Sequence, residues 1–159
     1  MKIVKGDLLT LADEGKFDVI VHGCNCYNNF GAGIAWIISQ KYPSAWKADQ
    51  DTIRGDKTKL GTYTKAQVLT KTNPVSVFTI INAYTQYGCN ASENVDLFEY
   101  ESFETILHKL AQEYPNSSFG FPKIGCGLAG GNEKVIMDMI GEFSKTINGS
   151  VTIIEWAKF

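Results

Sequence analysis

The chain has 159 residues, of which 44% are hydrophobic and 12% aromatic, and this apolar content suits one globular domain spanning residues 1–159. The formal charge of −2 comes from 15 basic and 17 acidic residues, which are scattered along the chain. Sequence-independent binding to duplex nucleic acid is therefore disfavoured, because that binding needs clustered lysine and arginine.

The start of the sequence and its apolar runs bear on its location. Residues 1–7 lead directly into a strand-like pattern, and no apolar run approaches the roughly twenty residues of a membrane span. The four cysteines come without any other mark of a secreted disulfide scaffold, which indicates reduced thiols. We therefore expect a cytoplasmic monomer that has no membrane partner.

The hydrophobic pattern predicts six strands and four helices. In chain order these are two strands (2–5 and 18–22), a helix from Gly33 that Pro43 ends, a helix at 44–53, two strands (62–69 and 75–84), a helix at 95–114, a strand at 118–121, a helix at 132–147 and a strand at 151–156. This order predicts a mixed sheet between helices. Ligands of such sheets lie beyond the carboxyl ends of the strands.

Two glycine-rich stretches each follow a predicted strand and lead into a predicted helix. They are residues 25–34 (NCYNNFGAGI) and 122–128 (PKIGCGL). Glycine lets backbone N–H groups come close to a phosphate, and the start of a helix presents positive charge to it. Two such turns indicate a diphosphate held between them and so a nucleotide-like ligand. Neither matches the P-loop or the dinucleotide fingerprint, which removes the main support for kinase-like and dehydrogenase-like functions.

Two polar residues at the ends of predicted strands are candidate ligand contacts. Asp7 closes the first strand, and its carboxylate could accept a hydrogen bond from an exocyclic amine such as that of adenine, while the N–H of Leu8 donates to the ring. The alternative is that Asp7 caps a turn. Asn25 could orient ribose hydroxyls with its amide, or it could serve as an ordinary turn residue.

The candidate catalytic residue is His22, which closes an apolar strand directly before the first glycine-rich stretch. A histidine at the mouth of a phosphate site can position or deprotonate water, or protonate a leaving group. The alternative is a hydrogen-bonded histidine without a catalytic role. Tyr84 is a candidate for stacking on a base or covering a ribose. Cys24 and Cys26 are too close for a zinc knuckle and lack a second pair, so we expect no metal.

Four strings along the sequence resemble the macrodomain family of ADP-ribose binders. They are KGDL at 5–8, VHGCNC at 21–26, GAGIA at 31–35 and PKIGCGL at 122–128, and they span nearly the whole chain. The resemblance implies a three-layer α/β/α sandwich on a mixed six-stranded sheet. The ligand-binding residues that it implies are Asp7 and Leu8 at the adenine, Asn25 at the distal ribose, Gly31, Ala32, Gly33 and Ile34 at the diphosphate and distal ribose, and Ile124, Gly125, Cys126, Gly127 and Leu128 on the other side of the diphosphate.

Within the family, the string HGCNC followed by GAG is most similar to the yeast-type ADP-ribose-1''-phosphate phosphatases, whose functional histidine falls on His22. The resemblance therefore implies hydrolysis of ADP-ribose-1''-phosphate to ADP-ribose and phosphate, without a cofactor. The terminal ADP-ribose protein glycohydrolase branch shares the strings GAGIA and IGCGL. That branch has a lysine after the fourth strand and an aspartate after the second turn, where we place Ala83 and Ala129 of this sequence.

Two alternative functions remain open at this point. The first is a non-catalytic module that reads or sequesters ADP-ribose or a related nucleotide. The second is a hydrolase that releases ADP-ribose from modified macromolecules, by a route other than the lysine-dependent one.

Overall fold

A mixed six-stranded sheet forms the middle of the molecule in the computed structural model, which describes residues 1–89, 97–127 and 129–157. The strands are β1 (Lys2–Gly6), β2 (Val19–Cys24), β3 (Tyr63–Leu69), β4 (Val77–Tyr84), β5 (Ser118–Phe121) and β6 (Ser150–Trp156). Their order across the sheet is β1-β6-β5-β2-β4-β3. β3 runs antiparallel to β4, and the other neighbouring pairs are parallel.

Helices cover both faces of the sheet. They are α1 (Leu8–Asp13), α2 (Gly33–Lys41), α3 (Pro43–Gln50), α4 (Tyr100–Glu113) and α5 (Glu133–Thr146), with a short 3-10 turn at Lys57–Lys59. Apolar residues of α1, α2 and α3 pack in one core and those of α4 and α5 in the other. Because side chains alternate along a strand, Val19 and Val21 of β2 enter the second core and Ile20 the first. The predicted three-layer α/β/α sandwich is confirmed.

The structure differs from the sequence prediction at several places. Helix α1 was not predicted, because its six residues are too few to show a helical period. Pro43 follows the end of α2 as predicted, but it also begins α3, since proline suits the first position of a helix. β2 continues to Cys24, two residues beyond its predicted end. Helix α4 was predicted from Val95, which lies outside the described residues, but it begins at Tyr100, and the described residues 97–99 are not helical.

The residues that directly follow four of the parallel strands gather at one edge of the sheet. Asp7, Asn25, Thr85 and Pro122 directly follow β1, β2, β4 and β5, which all run in the same direction. This is the edge at which ligands of such sheets bind. Among the helices of the described ranges, none is long and apolar enough to cross a membrane.

Candidate functional site

A cleft with two lobes lies along this edge. The larger, which we call the glycine lobe, has a volume of about 540 Å³ and lies between the two glycine-rich turns. The smaller, the Asp7 lobe, has a volume of about 300 Å³ and is lined by Asp7, Leu8 and their neighbours. Gly33, Ile34 and Pro122 line both lobes. A ligand that fills both lobes therefore crosses these three residues.

The first glycine-rich turn presents the uncapped start of helix α2 to the cleft. Ala32 is the N-cap residue of α2 and makes no side-chain hydrogen bond to it. The first N–H groups of a helix have no acceptor within the helix, and Gly33, Ile34 and Ala35, which carry them here, all line the glycine lobe. Gly33 has a φ of 60°, which glycine adopts without strain. These N–H groups are available to an anion.

The second glycine-rich turn is held tightly by its own backbone and by the core. Ile124 is 3% exposed, and the carbonyl of Gly125 accepts a hydrogen bond from Gly131 N at 2.8 Å. Gly125 has a φ of 74°, and a Cβ atom there would lie 2.4 Å from Phe98 Cδ2, so only glycine fits. The thiol of Cys126 lies 3.5 Å from the carbonyl oxygen of Ile124. Leu128, another predicted ligand residue, lies outside the described residues.

Asp7 is a capping residue, which is one of the two roles that its position in the sequence left open. Its Oδ1 atom accepts hydrogen bonds from Leu9 N at 3.0 Å and Thr10 N at 3.1 Å, so it is the N-cap of α1. Among the described residues, no group donates to its Oδ2 atom, and the residue is half-buried in the wall of the Asp7 lobe. Leu8 follows with the first N–H of the helix. Asp7 therefore caps α1 with one oxygen, and a contact of the other oxygen with a ligand stays a prediction.

Asn25 stabilises the first turn from within. Its Oδ1 atom accepts from Tyr27 N at 2.9 Å, and its Nδ2 atom donates to the carbonyl of Asn29 at 2.9 Å. Asn25 also lines the glycine lobe. The turn interpretation of this asparagine is correct, and its position leaves room for a ligand contact.

Most of the predicted ligand residues lie together in the wall of the cleft. These are Asp7, Leu8, Asn25, Gly31, Ala32, Gly33, Ile34, Ile124, Gly125 and Gly127. His22, Tyr84 and Cys126 do not belong to this wall. Tyr84 is fully buried, and its hydroxyl donates to Asp49 Oδ1 at 2.8 Å. Burial raises the pKa of Tyr84 above its ordinary value.

His22 is enclosed below the first turn. It is 1% exposed, and its Nε2 atom lies 2.6 Å from Asn82 Oδ1, which makes Nε2–H the donor. Its ring packs edge-on against that of Phe30, with 5.2 Å between the ring centroids. Burial lowers the pKa of His22 to about 4, so the imidazole is neutral near pH 7. A catalytic role for His22 stays a prediction, and in this arrangement the ring does not face the cleft.

Two further residues of the glycine lobe, Lys123 and Thr85, were not predicted as ligand contacts. Lys123, at the start of the second turn, is the single cation of the described cleft wall, and its pairing with Glu133 at 2.5 Å raises its pKa. Thr85 is 1% exposed, and its hydroxyl has no hydrogen-bond partner among the described residues. Gln86, which follows Thr85 and also lines this lobe, was left open between a ligand contact and a solvated loop residue. The positions of Lys123 and Thr85 just beyond the ends of β5 and β4 could have identified both as candidate ligand contacts.

The structure corrects one sequence position. Ala83 lies inside β4, so it does not follow the fourth strand; the residues that do are Thr85 and Gln86. Neither is a lysine. Ala129 follows the second turn, as expected, and its carbonyl accepts from Leu97 N at 3.0 Å. The lysine of the glycohydrolase branch therefore has no counterpart directly after β4.

The sequence profile of the Macro domain family matches residues 21–139, and this chain belongs to that family, as its motifs predicted. An uncharacterized 17.5 kDa protein in the tk-vs intergenic region of Enterobacteria phage T4 is 30% identical over 161 residues, which cover 98% of this chain and 96% of that protein. An ADP-ribose 1''-phosphate phosphatase of Lodderomyces elongisporus is 25% identical over 151 residues, or 88% of this chain and 92% of the phosphatase. The solved structure of Thermosipho africanus DarTG in complex with ADP-ribose superposes with a TM-score of 0.72 at 16% identity, covering 98% of this chain and 42% of that one.

Proposed function

We propose that this protein binds ADP-ribose in the two-lobed cleft. The observation that carries the proposal is the continuity of the two lobes across Gly33, Ile34 and Pro122. One lobe holds a carboxylate that can accept from an adenine amine, and the other holds N–H groups suited to a diphosphate. The Macro domain family and the DarTG complex with ADP-ribose support the same ligand.

The charges of the cleft fit this ligand. Asp7 is the charged residue of the Asp7 lobe wall, and Lys123 is that of the glycine lobe wall, counted over the described residues. The anionic diphosphate would lie against the start of α2 and near Lys123, and the neutral adenine would lie against Asp7. The distal ribose would then occupy the glycine lobe beside Asn25. This order places each part of the ligand against groups of complementary polarity.

Calorimetric titration tests the proposal. We expect ADP-ribose to bind more tightly than adenosine, which would fill the Asp7 lobe alone. We also expect weaker binding of the inosine analogue of ADP-ribose, in which a carbonyl replaces the exocyclic amine that Asp7 would accept. Absence of binding by all three compounds would show the proposal to be wrong.

We further propose, as a second function, hydrolysis of ADP-ribose-1''-phosphate at the glycine lobe. Its support is the phosphatase of Lodderomyces elongisporus, whose alignment covers most of both chains. Water would attack phosphorus, the bond between phosphorus and the ribose oxygen would break, and a proton from the water would pass to that oxygen, so that ADP-ribose and phosphate would leave. The enclosed His22 would not transfer a proton to the substrate. It would instead help to hold the first turn in place by packing against Phe30 of that turn.

Phosphate release from ADP-ribose-1''-phosphate separates this activity from binding alone. Wild type and His22→Gln should be assayed beside titrations with ADP-ribose. Phosphate release by the wild type supports the phosphatase, and tight binding with no release favours a module that reads or sequesters ADP-ribose. Labelled ADP-ribose conjugates of protein and nucleic acid test the remaining alternative, and release of label from them would favour a hydrolase of modified macromolecules.

A further inference from the structure

A buried lysine lies beneath the first glycine-rich turn. Lys59 is 7% exposed, and its ammonium donates to Asn28 Oδ1 at 2.7 Å and to Thr52 Oγ1 at 2.9 Å. It also stands 5.3 Å from the ring centroid of Tyr84. In the described part of the chain, no carboxylate lies within 4.0 Å of this ammonium. Burying a lysine charge is costly unless hydrogen bonds or an opposite charge compensate for it. Here the two hydrogen bonds do so, together with the buried carboxylate of Asp49, whose pKa is raised by burial while the charge of Lys59 acts to lower it.

Asn28 accepts the hydrogen bond from Lys59 and connects the turn to the end of α3 and to the segment that follows it. It has a φ of 56°, in the left-handed region that asparagine tolerates better than most residues. Its Nδ2 atom donates to the carbonyl of Thr52 at 2.8 Å, and its own carbonyl accepts from Gln50 Nε2 at 2.7 Å. With the bond from Lys59, three atoms of Asn28 are therefore held from outside the turn.

The residues next to Asn28 form the wall of the cleft. Asn29 and Gly31 line the glycine lobe, and the carbonyl of Asn29 is also held by Asn25 Nδ2 at 2.9 Å. Asn28 and Lys59 are not part of the described wall. Any effect that they have on a ligand is therefore exerted through the conformation of the turn.

We propose that Lys59 and Asn28 are positioning residues that hold the first turn in its binding conformation before a ligand arrives. The bonds between them fix the turn when the protein folds, so the ligand does not have to order it. The buried ammonium supplies several donors at once, which suits it to clamp two oxygens on different segments. The ligand used to test this rests on the proposed function, whereas the order of the turn can be measured without a ligand.

The hydrogen bonds that Asn28 makes with Lys59, Gln50 and Thr52 form what we call the Asn28 clamp. Two variants test it. Asn28→Gly keeps the left-handed backbone conformation and removes the hydrogen bonds of the side chain. Lys59→Met removes the ammonium and keeps most of the length of the side chain. Lys65→Met is the matched control, because that lysine pairs with Glu113 of α4 instead. The measurements are ADP-ribose affinity by calorimetry and amide hydrogen exchange of residues 25–34, both far below the unfolding temperature.

We expect each of the two variants to bind ADP-ribose roughly tenfold more weakly and to exchange faster at residues 25–34, while Lys65→Met matches the wild type. The double variant should lose little more than the worse single one, because the two side chains act as one unit. Wild-type affinity and exchange in Asn28→Gly would overturn the proposal, and this variant decides alone if Lys59→Met does not fold. If the wild type does not bind ADP-ribose, the proposed function fails, and the exchange data still decide whether the clamp exists.

Discussion

His22 Nε2 lies 2.6 Å from Asn82 Oδ1, and both side chains are enclosed in the layer between the sheet and α3. The amide of Asn82 donates in turn to the carbonyl of Ala45 at 2.9 Å and to Thr64 Oγ1 at 3.0 Å. Polar groups at this depth are stable only when they are hydrogen-bonded. The network therefore favours a neutral imidazole that connects β2, β4, β3 and α3.

This burial predicts a pH-dependent stability. Burial lowers the pKa of His22 from 6.5 to about 4. The unfolded chain takes up the proton near its ordinary pKa and the folded chain does so only near the lower one. The stability that depends on the neutral ring is therefore complete above pH 6.5 and is lost as pH falls towards about 4. The largest expected loss of unfolding free energy is about 3 kcal/mol.

Urea unfolding at several pH values across this window measures the effect. His22→Gln should flatten the dependence, because the titrating group is gone. His108→Gln, at an exposed position on α4, should keep the wild-type profile. If the unfolding free energy depended on pH equally in the wild type and in His22→Gln, His22 would not be the group that causes this dependence.

The same histidine shows what the sequence could predict and what it could not. The apolar run around His22 predicted a strand, because such a run is a local signal. The extra residues Gly23 and Cys24 continue the strand, so His22 lies within the sheet and not at its mouth. Alternation then places its side chain with Ile20 on the face that α2 and α3 cover. Covering by other helices is a tertiary property, and no local pattern reports it.

The glycine-rich turns could be predicted because glycine there meets a requirement of the local backbone conformation. Gly33 and Gly125 have positive φ, and for Gly125 the close Phe98 ring adds a steric reason. The Asn28 clamp was not predicted, since its partners Gln50, Thr52 and Lys59 come from a separate segment. The positions of turns can thus be predicted from the sequence, whereas the residues from other segments that stabilise those turns cannot.

If Asp7 both caps α1 and binds the adenine, as we propose, Asp7→Asn should separate stability from binding. Asparagine can keep the cap that Oδ1 provides to Leu9 N and Thr10 N, so the unfolding free energy should change by less than about 0.5 kcal/mol. An NH₂ group would replace the free oxygen and meet the adenine amine as donor against donor. We expect ADP-ribose affinity to fall by at least about tenfold.

Calorimetry and thermal unfolding measure the two effects side by side. Asp18→Asn is the control, because Asp18 accepts from Ser118 N at 2.9 Å near the start of β2, away from the cleft. Unchanged affinity in Asp7→Asn would show that Asp7 does not hold the base.

The unpartnered hydroxyl of Thr85 predicts a substitution that stabilises the free protein. Thr85→Val replaces a buried hydroxyl without a partner among the described residues by a methyl group, so unfolding free energy should rise by about 1 kcal/mol. Thr70→Val is the matched control. Thr70 is equally enclosed, but its hydroxyl lies 2.6 Å from Thr72 Oγ1 and accepts from Ser76 N at 2.9 Å, so that variant should lose about 1 kcal/mol. A loss of stability in Thr85→Val, measured by urea unfolding, would indicate a bound water on the hydroxyl.

Gly127 offers a way to block the cleft without disturbing the fold. A Cβ atom at this exposed residue would have no atom of the described residues within 4 Å, its chain neighbours apart, and Gly127 lines the glycine lobe. Gly127→Leu should therefore change the unfolding free energy by no more than about 0.5 kcal/mol while its side chain takes space that the ligand needs. We expect no measurable ADP-ribose binding. Gly141→Leu on α5 is the control, because a Cβ there also meets nothing within 4 Å but lies outside the cleft wall. Wild-type affinity in Gly127→Leu, with the control also unchanged, would mean that the ligand does not occupy the glycine lobe beside the second turn.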